Sequence, residues 1–139
     1  MTSHVRAFVG LTILLWVLAA LIVVAGLLVI FATAWFLGLV QSSEWFGASP
    51  LVPLLFKFLG VLALGLGYLV SCAARDPVRY VAVIDVMAFF AIVGAIIDAI
   101  AALNHVYGPL FPAGALWARA IVRLIIAVLL IAWRPRQTA

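Results

Sequence analysis

Long apolar runs and short polar breaks alternate along this chain. Four runs stand out, at about residues 9–38, 50–73, 78–105 and 114–133. Each holds the roughly 20 residues with which a helix crosses about 30 Å of hydrocarbon. The period-two alternation of a half-buried strand is missing, so the pattern predicts helices and an all-α fold. The breaks carry start and stop chemistry. Gln41, Ser42, Ser43 and Glu44 interrupt the first run, flanked by Trp35, Trp45 and Phe46 as an interfacial aromatic belt would be. Ser49 followed by Pro50 offers an N-cap and a first helical residue with φ preset, and Asp76 with Pro77 repeats the device. Gly108, Pro109 and Pro112 form the third turn, and Pro135 stops the fourth helix. The short break at residues 74–77 predicts that the second and third helices form an antiparallel hairpin packed side by side.

Composition settles the solvent for these helices. The chain is 70% hydrophobic and 9% charged over 139 residues, where a soluble domain carries about 25% charge. So short a chain has no core large enough to hide that surface, and the reading is a single integral membrane domain over residues 1–139 without internal repeat. Arg6 ahead of an apolar run resembles a signal peptide. The run continues from Phe8 to Val40, however, far beyond the roughly 7–15 residues of a cleaved apolar region, so a retained helix is expected.

Charge then orients the bundle. Arg6, Arg75, Arg79, Arg134 and Arg136 fall on one side of a four-span antiparallel bundle, whereas the breaks at 41–49 and 106–113 contain no Lys or Arg. The positive-inside rule places both termini in the cytoplasm.

The remaining charges lie within the spans. Lys57, Asp98, Arg119 and Arg123 share the outer half, with His105 at the outer end of the third helix. A charged side chain near a bilayer centre costs about 2.5–3.5 kcal/mol on insertion scales, so it needs a partner or a wet cavity. Arg119 and Arg123 are four apart and share a helix face. Ala91, Gly94, Asp98, Ala101 and His105 form a second stripe, small residues leading to an acid and a histidine, which reads as an interhelical contact. Gly60, Ala63, Gly67 and Ser71 form a similar stripe of small residues on the second helix.

Two readings of the cluster stand open. In the structural one, Asp98 pairs with Arg119 or Arg123, Lys57 snorkels outward, and the network fixes helix register. In the functional one, three cations against one acid, with Glu44 as a rim partner, favour an anionic guest: a lipid phosphate, a quinone-like head group or a carboxylate. A proton path through Asp98 and His105 is a third, weaker alternative, because no acid-rich relay continues inward. Asp85 lies on another face, near the cytoplasmic end, within reach of Arg79 or Arg134 as an interfacial ion pair.

Other chemistry is sparse. Cys72 is alone, which excludes an intrachain disulfide and a Cys-based metal site. His4 and His105 fall on opposite sides and cannot share a metal, and the facing His pair of a membrane haem site is missing. No phosphate loop, Ser–His–acid set or nucleic-acid signature occurs, so no catalytic residue, metal or required cofactor is assigned.

The segment PLVPLLFKFLGVLALGLGYLVSCAARDPVRY (50–80) is a Pro-led helix with several glycines, ending in Tyr-Leu-Val and then Ala-Arg-Asp-Pro-x-Arg. It resembles the second-helix and hairpin region of small bacterial four-helix membrane proteins of the DoxX-like and BphX-like kind, and AGLLVIFATAWFLGLV (25–40) is similar to the end of their first helix. The resemblance implies a four-helix bundle with quinone-linked or partner-scaffolding roles. No family residue carries over to a position here.

The function expected from the whole is a non-catalytic accessory or scaffold subunit of a larger membrane complex. Its partners would be membrane lipids and other integral membrane subunits, with a lipid or quinone as the optional bound molecule at the charged cluster. The alternative is a small homo-oligomeric transporter for an anionic or polar small molecule.

Overall fold

Apolar side chains leave a backbone only two ways to satisfy its polar groups out of water, and the local ladder of an α-helix is the one that needs no neighbour. The computed structural model describes residues 2–33, 51–104 and 113–135. They form four helices: α1 (Thr2–Phe31), α2 (Leu51–Arg75), α3 (Val81–Asn104) and α4 (Ala113–Ala132). Each contains a segment long and apolar enough to cross a membrane.

The helix ends differ from those read off the hydropathy pattern, for local reasons. α1 begins at Thr2 rather than 9, because hydropathy marks the apolar segment, here Phe8–Phe31, and not the polar turn before it. Its regular turns run to Phe31, and the expected end at 38 lies outside the described residues. There the Thr33 hydroxyl donates to the Val29 carbonyl at 2.5 Å, a back-bond that competes with the ladder and bends helices. Residues 34–38 and the Ser49–Pro50 start lie outside the described residues, as does His105 at the end of α3.

α2 runs two residues past 73, to Arg75, its last turn closed by the Asp76 N–H on the Cys72 carbonyl at 3.1 Å. α3 starts at Val81 rather than 78. Residues 77–80 form a turn in which the Arg79 N–H donates to the Asp76 carboxylate and the Tyr80 N–H to the Asp76 carbonyl, both at 3.1 Å. Asp76 thus caps this turn in the N-cap manner. α4 begins at Ala113 and ends at Ala132, with Trp133 in the closing turn.

Two seams organise the helices, α1 with α2 and α3 with α4. Both are antiparallel: Gly26 faces Gly60 while Val23 faces Gly67, and Asp98 faces Arg119 while Asp85 faces Arg134. In the first seam a methyl at Gly26 would sit 2.9 Å from the Gly60 carbonyl oxygen and 3.2 Å from the Ala63 methyl, and one at Gly60 would meet the Gly26 carbonyl oxygen at 2.9 Å. The stripe Gly60, Ala63, Gly67 therefore packs on α1. Close backbone approach supplies the dispersion contact that drives helix association where the solvent is itself apolar.

The side-by-side α2–α3 hairpin expected from the short turn is not what forms. The two helices touch sparsely, since a tight turn fixes where their ends meet and not how their faces pair. The small-residue face of α2 is already taken by α1.

The pairs join at one end. Leu11, Leu15, Leu18 and Ala19 of α1, Val70, Ala73 and Ala74 of α2, Ile84, Met87 and Ala88 of α3, and Leu130 of α4 form one buried cluster there. The Trp133 ring lies against Gly10, and the Arg75 guanidinium sits 6.0 Å from the centre of the Trp16 ring. Toward the opposite end the buried cluster Ala101, Ala102 and Leu116 stays within α3 and α4. The outer faces are apolar along their length, with Leu21, Phe58, Leu62, Phe89 and Val128 all more than half exposed. Apolar surface this extensive marks a membrane or protein contact rather than a water-facing exterior.

Candidate functional site

Asp98 is the one buried charged residue among the described residues, 5% exposed. It sits six residues, about 9 Å, from the C-terminal end of α3. α4 runs the other way, so Arg119, six residues into it, meets the acid at the same level, and Arg123 follows one turn further along. Arg119 Nη2 lies 3.3 Å from Asp98 Oδ1, and Arg123 Nη1 lies 2.9 Å from Oδ2. Spacing of four on one helix face lets a single carboxylate fit between both guanidinium groups. The Arg123 approach falls off the hydrogen-bond axis, so Oδ2 is held by charge and keeps no directed hydrogen bond.

Gly94, one turn before Asp98, is the seat for Arg123. A methyl there would collide with Arg123 Nη1 and come 3.0 Å from its Cζ and 3.3 Å from its Cδ. The stripe reads as an interhelical contact, and at Gly94 the neighbouring helix contributes the Arg123 guanidinium, lying across the α3 backbone. Ala91 is half-buried on the same stripe, and Ala101 is buried.

The two arginines differ from the acid in exposure. Their side chains are 45% and 36% exposed, against 6% for Asp98. A guanidinium is charged at every physiological pH, so the triad carries a surplus of at least one positive charge, turned toward the outside of the α3–α4 seam. Lys57 is not part of it. It lies on α2, is exposed, and makes no ion pair with any described residue. His105 and Glu44, the other candidates for the cluster, lie outside the described residues.

A second ion pair lies at the opposite end. Arg134 grips Asp85 with both arms of its fork, Nε to Oδ1 at 2.6 Å and Nη2 to Oδ2 at 2.7 Å. Of the two arginines in reach, Arg79 is engaged elsewhere, its guanidinium 5.7 Å from the Tyr80 ring centre. The Asp85 hydrogen bonds, with its charge behind them, raise Arg134 above its ordinary pKa, so this cation keeps its charge throughout any working pH range. Among the described residues no group of His, Cys, Asp and Glu could hold a metal ion, and Cys72 is free and half-buried.

Chemically, the triad can do two things. It ties α3 to α4 at a fixed register, and it offers forked donors with surplus positive charge to an anion. Compared with protein-family models, curated proteins and solved structures, the chain matches none.

Proposed function

We propose that this chain is a four-span protein of a bacterial cytoplasmic membrane, with both termini in the cytoplasm, acting as a non-catalytic accessory or scaffold subunit of a larger membrane complex. One observation carries the reading: all four helices keep long apolar faces exposed along their length, whereas the buried acid Asp98 is drawn into the α3–α4 seam. A protein built this way offers lipid and neighbouring helices its faces and little else. The arginine-rich end, with Arg75, Arg79 and Arg134, supports the orientation, because Lys and Arg retained on the cytoplasmic side set the topology of short-looped membrane proteins. The resemblance to DoxX-like and BphX-like proteins points the same way, toward a redox-linked complex and a lipid or quinone-like guest.

The second reading is a small homo-oligomeric transporter for an anionic or polar molecule. The surplus charge on the half-exposed Arg119 and Arg123 favours it, since a symmetric interface lined by those groups would be a wet, cationic path. Native mass spectrometry after gentle extraction, with the protein tagged at its own expression level, separates the two. Stoichiometric foreign subunits are expected for the scaffold. A homo-oligomer alone, at a fixed copy number, would replace that reading with the transporter.

A further inference from the structure

Lys57 is a charge that the two helical seams do not absorb. It lies on α2 about 9 Å from the first residue of that helix, inside the apolar span Pro53–Arg75. It is exposed and has no hydrogen bond or ion pair with any described residue. Asp98, the buried acid, is already enclosed by Arg119 and Arg123. A cation within a span needs a counter-charge or a route to water.

The face around Lys57 differs from the one that packs on α1. At 100° per residue, Lys57, Val61, Gly65 and Tyr68 fall within an arc of about 80°, and Gly65 is turned about 140–160° away from Gly60 and Gly67. All four residues are exposed, and a Cβ at Gly65 would meet nothing within 4 Å. Glycine inside a helix costs stability relative to alanine. Close contact with α1 accounts for Gly60 and Gly67, but nothing in the described chain accounts for Gly65. Two turns from Lys57, the surface of α2 therefore holds a notch between Val61 and Tyr68, of the kind that lets a second helix bring its backbone close.

Charge decides which helix fits. In a two-fold pair of copies each patch meets itself, so Lys57 would face Lys57, and like charges brought together are repelled. The exposed acids among the described residues, Asp76 and Asp85, lie at the opposite end. Resting on the scaffold reading, we infer that the Lys57, Val61, Gly65 and Tyr68 face of α2 docks a membrane-spanning helix of another protein, one that carries an Asp or Glu level with Lys57 and packs into the notch at Gly65. The acid and the lysine neutralise each other within the span, and the open glycine sets the close approach.

The test places the full chain, carrying a donor dye on a terminal tag, in phosphatidylcholine vesicles with an acceptor-labelled synthetic leucine-rich helix of about 20 residues. One Glu in that helix is set level with Lys57. Energy transfer should report association, and either Lys57→Gln or a Leu in place of the Glu should weaken it about tenfold. Gly65→Leu should weaken it as well, and because its side chain enters open space the chain should still fold. Glu44→Gln should leave association unchanged. No association, equal association of the all-Leu helix, or full association in Lys57→Gln would overturn the proposal. Association that appears only in Glu44→Gln would show that the chain's own acid already holds Lys57, and transfer between copies of the chain that Gly65→Leu abolishes would give the face to a second copy. The scaffold reading is judged apart, by native mass spectrometry: foreign subunits retained in full on the Lys57→Gln chain would keep that reading and exclude this face.

Discussion

Asp98 is the residue whose environment is least forgiving. Its carboxylate is buried between Arg119 and Arg123, and removing it takes the negative charge from between two guanidinium groups. Asp98→Ala should therefore lower the unfolding midpoint in detergent. Adding Arg123→Ala should restore part of the loss, with a coupling of about 0.5–3 kcal/mol in a double-mutant cycle. Strictly additive losses would mean the close approach contributes nothing. Gly94 gives an independent check. Gly94→Val places branched carbons where the Arg123 guanidinium lies and should cost about 1–3 kcal/mol, as overpacking does. If instead it were neutral, Arg123 would have to be seated elsewhere. The exposed Asp85–Arg134 pair has its partners in water's reach, and its loss should matter far less than that of Asp98.

At the scale of elements, glycines of one helix separate two roles. Gly60 touches the α1 backbone, whereas Gly65 has open space where its side chain would be. Gly60→Val should loosen α1 from α2 and destabilise by about 1–3 kcal/mol, while Gly65→Ala should be neutral or stabilising by up to about 1 kcal/mol. Equal effects at the two positions would contradict the seam.

The same helix shows what hydropathy can and cannot reveal. The existence of α2 and its small-residue face are legible in Gly60, Ala63 and Gly67, because spacing of three and four fixes a face whatever lies opposite. The partner of that face is not legible, because Gly26 and Val23 sit in a run so uniformly apolar that no side of α1 is marked. The short break at residues 74–77 points to a side-by-side hairpin, but a tight turn fixes only where two helix ends meet and not which faces pair. Asp98 is legible through its cost in an apolar run. Which arginine it meets is not legible, since Arg119 and Arg123 share a face, and in the structure it touches both. Gly94 as the seat of Arg123 gave no signal of its own, for a small residue reads alike whether a backbone or a guanidinium fills the gap.

At the scale of the molecule, two antiparallel pairs meet at the arginine-rich end through one buried cluster, and Leu15 and Leu130 are both fully enclosed in it. Leu15→Ala should cost about 2–4 kcal/mol through the cavity it leaves. The larger claim is that this end faces the cytoplasm and that four spans separate it from the loops at 41–49 and 106–113. The measurement that tests it most directly is cysteine accessibility in intact cells. In a Cys72→Ser background, which removes the native thiol, a cysteine is placed at Ser43 or at Val78, and an impermeant thiol reagent is added outside. The account predicts that Ser43→Cys reacts while Val78→Cys reacts only after the membrane is opened. Reaction at Val78→Cys with protection at Ser43→Cys would invert the topology, and reaction at both before opening would contradict a membrane-spanning chain.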